Sequence, residues 1–339
     1  MVDATHISYD AADRSYYALI KKEVHNLALA AQFSEKRIAE LDIIVAELTS
    51  NLHKHADNGE LLIGHLKDGE QEYIELISID NGPGMSDVPR MMTDGYSTTN
   101  TMGHGLGSIK RLSDQFDIFS ARGWGTVLVS RVFKSTPSRS RKKNSLQVQP
   151  LVVAKPGENT SGDGYYVKTT ADYIKIILAD GLGHGKEANV AVNEAVKAFK
   201  QCPSHSPVEI IRYIHPAVRK TRGLVATIAV FDLKAAVLNI AGVGNISSKL
   251  IGATLTKSLL AYNGIIGHNI PNSMNDHCMA LSDYQQLVMC SDGIRSRWET
   301  GKQPGLSRCD LTVQAAAIYK DYARRTDDMS VLIAKIQML

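Results

Sequence analysis

The residues best suited to chemistry are four aspartates, each in a turn-like segment of the second half of the chain. They stand in Ser161-Gly-Asp163, Ile177-Leu-Ala-Asp-Gly-Leu-Gly-His-Gly185, Cys290-Ser-Asp-Gly293 and Thr326-Asp-Asp-Met-Ser330. An apolar run that ends in glycines predicts a buried strand and a tight turn, which can present a carboxylate to a metal ion. Clustered carboxylates repel one another unless cations neutralise them, and their hard oxygens suit Mg²⁺ or Mn²⁺. Each aspartate alone is better explained as the cap of its own loop, but four in order favour a metal site.

A second set of polar residues lies in the first half of the chain. Glu47, Asn51 and His55 are four residues apart and therefore share one face of a predicted helix. Glycines at the start of a helix expose backbone amides at its positive end, which favours phosphate binding. Taken singly, each feature fits an ordinary solvated face or turn. Their order adds weight to a phosphate site, because the helix is followed by Asp80-Asn-Gly-Pro-Gly-Met85, Gly103-His-Gly-Leu-Gly107 and Gly125-Thr126.

The elements that must position these residues follow from hydrophobic periodicity. Ser34 is a predicted N-cap for a helix whose apolar stripe runs from Ile38 to Leu52. Strands are predicted at 59–66 and 73–79 in the first half, and in the second half at 151–154, 164–169, 173–179, 226–233, 237–242, 249–251, 286–290 and 330–336. Helices are predicted at about 186–200, 207–219 and 311–323. Paired strands with flanking helices predict a sandwich of two sheet layers between helices.

Composition places the chain among soluble globular proteins. It has 339 residues and a net charge of +3, which gives no electrostatic case for a nucleic-acid or membrane partner. The sequence contains no apolar run of about eighteen residues and no secretory signal pattern. The cysteines have no paired spacing and suit reduced thiols, so we expect a cytoplasmic protein. A basic tract at 134–149, broken by Pro137, predicts a flexible linker between domains at 1–133 and 150–339.

The order of motifs across residues 10–133 resembles the GHKL ATP-binding family, and within it the serine/threonine kinases of bacterial sigma-factor partner switching. The resemblance implies that Asn51 is a Mg²⁺ ligand and that Glu47 activates a water or hydroxyl. It implies that Asp80 accepts a hydrogen bond from the adenine amino group. The other nucleotide-binding residues that it implies are Gly82, Gly84, Gly103, Gly105, Gly107 and Thr126, with a mobile lid that includes Thr98, Thr99 and Asn100.

The order of aspartate motifs across about residues 150–339 resembles the metal-dependent (PPM-type) serine/threonine phosphatases, most closely their SpoIIE-like branch. The resemblance implies that Asp180 bridges two Mn²⁺ or Mg²⁺ ions and that the carbonyl of Gly181 binds one of them. Asp292 and Asp327 would hold the other ion, and Asp163 would act partly through water.

Three points stay open at this stage. Asp328 occupies a place where many relatives of this branch have Asn, so both Asp327 and Asp328 are candidate ligands. His184 fits either a role in orienting substrate or water, or a structural one. Near the first strand of this half, no arginine fits a phosphate-grasping role. The substrate phosphate is therefore expected to rest mainly on the metals.

Together the two resemblances imply an α/β (α+β) chain of two domains, a Bergerat-type α/β sandwich followed by an αββα phosphatase sandwich. The implied function is a bifunctional partner-switching regulator, with an ATP- and Mg²⁺-dependent serine/threonine kinase module and a metal-dependent phosphoserine/phosphothreonine phosphatase. Its expected substrate is a STAS-type anti-sigma antagonist or stressosome-type protein, and a sigma factor is a further candidate partner. Alternatively, the first domain is a nucleotide-regulated binding module for a sigma factor or STAS protein, without kinase turnover.

Overall fold

The computed structural model describes residues 5–11, 13–68, 71–92, 105–136 and 146–336. By its contacts, the chain divides into two compact units. The first unit comprises His6–Arg141 and Glu299–Lys320. The second unit comprises Met1–Thr5, Lys142–Trp298 and Asp321–Leu339. Among the described residues, no helix combines the length and the apolar character that a membrane span requires.

The first unit is built from an antiparallel sheet with helices packed on one face. Its helices are α1 (Tyr17–Ala30), α2 (Glu35–His55), α3 (Val88–Met91) and α4 (Gly105–Leu112). Its strands are β1 (His6–Asp10), β2 (Glu60–Asp68), β3 (Gln71–Asp80), β4 (Gln115–Ala121) and β5 (Gly125–Phe133). The strands lie in the order β1-β2-β3-β5-β4, and each neighbouring pair is antiparallel. Apolar side chains of α1, α2 and α4 share one core with those of the sheet.

Helix α2 forms as its sequence predicts. Ser34 adopts an extended conformation, and its hydroxyl accepts a hydrogen bond from the amide of Arg37 at 3.4 Å. The predicted apolar stripe is the face that α2 buries against the sheet, with Ile38, Leu41, Ile44, Val45, Leu48 and Leu52 all buried. This packing leaves Glu47 and Asn51, both half-buried, on an adjacent face of the helix.

The second unit contains two sheets that pack face to face. Its strands are β6 (Leu146–Val153), β7 (Asp163–Thr169), β8 (Tyr173–Gly181), β9 (Leu224–Asp232), β10 (Val237–Val243), β11 (Ser247–Ile251), β12 (Thr256–Leu259), β13 (His277–Ala280), β14 (Gln286–Cys290) and β15 (Met329–Ile336). The sheet orders are β12-β11-β14-β15-β6 and β13-β10-β9-β8-β7.

Alternation along β8 shows how the layers of the second unit are arranged. Ile176 and Leu178 belong to the core between the two sheets, whereas Ile177 and Ala179 belong to a core shared with helices α5 (Gly185–Gln201) and α6 (Pro207–Ala217). Strands buried on both faces read as continuous apolar runs, as in the sequence before Asp180. The predicted α/β fold class with two domains is confirmed.

The second face of the first unit's sheet is covered by a segment from far along the sequence. Helix α7 (Leu311–Tyr322) belongs to the first unit up to Lys320. On this face, Nε of Arg131 donates to the fully buried Glu75 at 2.5 Å, and its Nη2 donates to Asp310 at 3.0 Å. Thr312 contacts the same guanidinium, and the Tyr319 hydroxyl donates to Glu60 at 2.7 Å. The segment is therefore held by buried charge and hydrogen bonds as well as by apolar contact.

The domain limits predicted from the sequence differ from these units, and Met1–Thr5, predicted in the first domain, belong to the second unit. The predicted second domain, 150–339, included Glu299–Lys320, which packs in the first unit. Sequence position gave no sign of this, because the contacts that hold the segment are more than 170 residues apart. The predicted linker ended at 149, but β6 begins at Leu146, since Leu146 and Val148 pair with Ile336 and Ala334 of β15.

Replacing Arg131 by Met should destabilise the first unit by about 3–5 kcal/mol, because it leaves the Glu75 carboxylate buried without its cation. Arg37→Ala, which removes a guanidinium bound to Glu40 and Asp114 nearer the surface, should cost no more than about 1 kcal/mol. The double change Glu75→Met with Arg131→Met should recover much of the loss. Urea unfolding, with hydrogen exchange of β3 and β5 as the local readout, measures these effects. Equal costs for Arg131→Met and Arg37→Ala would contradict the expectation.

Candidate functional sites

The aspartates of the second unit come from the ends of strands in both sheets. Asp163 begins β7 and lies directly opposite Asp180 of β8. Asp292 follows β14, while Asp327 and Asp328 precede β15, and these two strands pair with Cys290 opposite Val331. The five carboxylates are close enough that Asp180 feels the negative charge of the other four. The structure thus brings together the aspartates that the sequence singled out.

Asp163 is the most buried of these carboxylates, with 1% of its surface exposed. Its Oδ2 accepts hydrogen bonds from the hydroxyls of Ser291 at 2.6 Å and Ser330 at 2.7 Å. Burial raises the pKa of Asp163 to about 7, and nearby aspartate charges add to this rise while the two serines oppose it. Burial, followed by the charges of the neighbouring aspartates, likewise holds the pKa of Asp180 well above its usual value. Folding has therefore placed like charges together at a cost.

The two adjacent aspartates before β15 have different surroundings. Asp328 is buried, and its two oxygens accept hydrogen bonds from the backbone amides of Lys155 at 2.8 Å and Gly162 at 2.7 Å. Those contacts tie it to the loop that leads into β7. Asp327 is half-buried, and its Oδ1 accepts from the amide of Asp328 at 2.9 Å. Asp328 therefore organises the loop, while Asp327 lies nearer the surface.

The loop after β14 is fixed by two contacts. A β-carbon at Gly293 would lie 1.9 Å from the carbonyl oxygen of Asp328, so the close approach of the two backbones requires glycine. The side-chain amide of Asn245 donates to Oδ2 of Asp292 at 2.8 Å and so orients that carboxylate. These contacts position Asp292 relative to the residues before β15.

A divalent ion at the aspartate cluster would need ligands other than side chains. Within the described ranges, no three Asp, Glu, His or Cys side chains form a group that could hold one ion by themselves. An ion at this place would take one or two carboxylates, the Gly181 carbonyl and water. Mg²⁺ accepts this arrangement because it usually retains several waters. Burial and the charges of neighbouring aspartates raise the pKa values of Asp163 and Asp180, and a divalent ion would favour the charged form of both.

In the first unit, the start of α4 lies against the polar face of α2. A β-carbon at Gly105 would be 3.0 Å from Oε2 of Glu47 and 3.4 Å from Oδ1 of Asn51. The start of α4 therefore lies against the carboxylate and the amide that the sequence assigned to ATP chemistry. Gly107 is buried within α4. Gly103 and the predicted lid residues Thr98, Thr99 and Asn100 lie outside the described residues.

The predicted adenine-binding residues meet at the other end of this site. Asp80 ends β3 opposite Thr126 of β5, and its Oδ1 accepts a hydrogen bond from the amide of Gly82 at 2.8 Å. Gly82 and Gly84 lie in the turn that follows. Burial raises the pKa of Asp80, against hydrogen bonds from Gly82 and Thr126 and the positive charge of Lys320. Lys320 also lies 4.1 Å above the ring of Trp124. Neither Lys320 nor Trp124 was predicted from the sequence.

Other supporting residues were also missed. Ser291 and Ser330 lie inside the aspartate motifs, so the motifs could have indicated them as hydrogen-bond donors. Asn245 lies 47 residues before its partner Asp292, and local sequence gives no sign of that contact. His184 was left open between two roles. The structure places its Nδ1 3.0 Å from Glu158 at the exposed start of α5.

Known protein families match both halves of the chain. Residues 170–337 match the family model described as Stage II sporulation protein E (SpoIIE), and residues 11–132 match the histidine kinase-like ATPase domain. The chain is 34% identical over 103 residues to the serine/threonine-protein kinase RsbT of Bacillus subtilis (strain 168), a match that covers 30% of this chain and 77% of RsbT. The chain belongs to both families. It joins a GHKL-type, RsbT-like ATPase domain to a SpoIIE-type phosphatase domain.

Two solved structures resemble this SpoIIE- and RsbT-related chain. One, described as "The bacterial stressosome: a modular system that has been adapted to control secondary messenger signaling", is 31% identical with a TM-score of 0.50. That match covers 56% of this chain and 99% of the other. The other is RsbX in complex with magnesium, which is 19% identical with a TM-score of 0.48, covering 58% of this chain and 98% of RsbX.

In the absence of divalent cations, the stability of the second unit should fall as pH rises toward about 7. The folded-state pKa of Asp163, about 7, lies above its ordinary value of 3.8, so the folded chain binds more protons between these limits. Stability from this group is present below the lower value and is lost as pH rises through the higher one. Thermal unfolding in EDTA across this range measures it.

Asp163→Asn should flatten that pH dependence. Asp232→Asn is the control, because hydrogen bonds from the backbone amides of Ala235 and Lys234 lower the pKa of the half-buried Asp232 instead. An unchanged pH dependence in Asp163→Asn would contradict the assignment.

Proposed function

We propose that the chain is a bifunctional partner-switching enzyme. Its second unit would hydrolyse phosphoserine or phosphothreonine on a STAS-type protein, and its first unit would transfer phosphate from Mg-ATP to serine or threonine. The observation that carries the proposal is the pairing of Asp163 with Asp180 inside a cluster of five carboxylates. A STAS-type substrate is supported by similarity to RsbT and to a stressosome structure.

In the second unit, contacts within the chain would hold the carboxylates of the proposed phosphatase site in place. Asp180 and the carbonyl of Gly181 at the end of β8, together with Asp292 and Asp327, would hold Mn²⁺ or Mg²⁺. Asp327 is a better candidate than Asp328, because backbone amides occupy both oxygens of Asp328. The bound ions would supply an activated water and charge stabilisation for phosphoryl transfer. Asp163, whose Oδ2 accepts hydrogen bonds from two serine hydroxyls, would help to orient the other carboxylates.

On the kinase side, Glu47 and Asn51 approach the start of α4, where backbone amides would face the phosphates of ATP. Asn51 would hold Mg²⁺, and Glu47 would accept the proton of the attacking hydroxyl. At the far end, Asp80 and Thr126 would fix the adenine ring. A module that only binds nucleotide would need the adenine residues and Asn51 but would not need Glu47.

Wild-type protein should release phosphate from a phosphoserine STAS protein when Mn²⁺ is present. Asp180→Asn should reduce this rate by at least about 100-fold, because the residue would contact both ions. Asp232→Asn, at the half-buried aspartate that ends β9, should leave the rate unchanged. Release that persists in Asp180→Asn would refute the two-metal assignment. No release from the wild type on any STAS protein encoded nearby would refute the phosphatase proposal.

Glu47→Ala should reduce transfer of phosphate from ATP to the STAS protein by about 10²–10⁴-fold, the usual contribution of a general base. ATP affinity, measured by calorimetry, should change little, because Asp80, Thr126 and Asn51 remain. Asp80→Asn should show the opposite pattern and weaken ATP binding. Wild-type protein that binds ATP without transferring phosphate would instead support a nucleotide-regulated binding module.

A further inference from the structure

The carboxylate cluster itself supplies no positive charge to bind a substrate phosphate. A phosphate monoester carries negative charge into a site already lined by Asp163, Asp180, Asp292 and Asp327, so a cation from the protein would favour binding of the substrate itself. Guanidinium is suited to this task, because its planar donors bind two phosphate oxygens at once. An arginine that lies beside the glycine loop after Asp180 meets this requirement.

Strand pairing places Arg222 next to that loop. In the β8–β9 register, Asp180 lies opposite Val225 and Gly181 opposite Leu224. One residue further, the amide of Leu182 donates to the carbonyl of Gly223 at 3.1 Å. The next residue on the β9 side is Arg222, which therefore borders the segment that follows the bridging aspartate.

The guanidinium of Arg222 lies against this loop. Its Nη1 is 2.9 Å from where a β-carbon would stand at Gly183, and Gly183 has a φ of +86°. Glycine at this position both permits the backbone conformation and leaves room for the guanidinium. The carbonyl of Gly183 also lies near Gly162, the residue before Asp163. The arginine head group therefore borders the loop that follows Asp180, and this loop approaches the residue before Asp163.

The backbone that carries Arg222 is held in place, while its side chain is accessible. Its carbonyl oxygen accepts a hydrogen bond from Nε2 of His268 at 2.9 Å, and Oγ1 of Thr221 accepts one from the amide of Gly223 at 3.1 Å. The Arg222 side chain is 50% exposed and forms an ion pair with Glu187, which is 70% exposed. An ion pair this exposed stabilises the fold little, so the guanidinium can exchange its partner at small cost.

We propose that Arg222 is a substrate-binding residue of the phosphatase site, which exchanges Glu187 for the phosphate group of phosphoserine or phosphothreonine. Glu187, in the first turn of α5, holds the guanidinium beside the loop until substrate arrives. A phosphate dianion accepts two hydrogen bonds from the guanidinium and carries more charge than the carboxylate that it displaces. This inference rests on the proposed phosphatase function and names how that site recognises its substrate.

The test compares four full-length variants loaded with Mn²⁺: Arg222→Ala, Arg222→Lys, Glu187→Gln and Arg212→Ala. Arg212 is the matched control, because it forms a similar exposed ion pair with Glu209 on α6. For Arg222→Ala, KM should rise about 10- to 100-fold for both a phosphoserine STAS protein and p-nitrophenyl phosphate, with little change in kcat. Lys should restore part of the affinity, and Arg212→Ala should have no effect.

A second readout does not depend on turnover. Calorimetric titration with inorganic phosphate should give a Kd raised about 10- to 100-fold in Arg222→Ala. Glu187→Gln should lower the Kd by up to about fivefold, because the competing carboxylate is removed. Unchanged phosphate affinity in Arg222→Ala would overturn the assignment, as would a rise in KM confined to the protein substrate. Loss of turnover in every protein, wild type included, would refute the proposed function, while phosphate titration would still test Arg222.

Discussion

The main constraint on the second unit is the repulsion among the carboxylates that it holds close together. Asp163 and Asp180 face each other across two paired strands, and other aspartates stand at the ends of neighbouring strands. Burial is the largest cause of the raised pKa values of Asp163 and Asp180, and the like charges of the neighbouring aspartates add to it. The surrounding contacts, two serine hydroxyls on Asp163 and two backbone amides on Asp328, hold the carboxylates in place despite this cost. Carboxylates held close together in this way are suited to bind a divalent cation.

In the first unit, the packing of helices on the sheet brings the start of α4 close to polar side chains of α2. The apolar stripe of α2 fixes the rotation of that helix against the sheet, and this rotation sets Glu47 and Asn51 toward Gly105. At the other end, the β3–β5 pairing sets Asp80 beside Thr126. Ordinary packing of a helix and a sheet thus positions the residues at both ends of the proposed nucleotide site. The two units place their polar residues by the same means, namely strand register and helix rotation.

Much of this could be predicted from the sequence, because motifs and periodicity are local. The α/β fold class and both families are confirmed, and the aspartates, Glu47 and Asn51 lie where a joint role needs them. Their roles as ligands and bases stay predictions. Contacts made across long stretches of chain were not predictable, as for Asn245 on Asp292 and for Arg222 beside Gly183. Such contacts depend on the register of paired strands, which the sequence specifies only through the whole fold.

The placement of Glu299–Lys320 bears on how this chain can be divided. The SpoIIE family model spans this segment, yet it packs in the unit that contains the ATPase domain. A fragment that ended at the basic linker would retain Arg131 and Glu75 but would lack Asp310 and Thr312, which contact the Arg131 guanidinium. A fragment that began there would carry an apolar helix with no sheet to cover. The boundary between the two family matches in the sequence therefore does not coincide with the boundary between the two units.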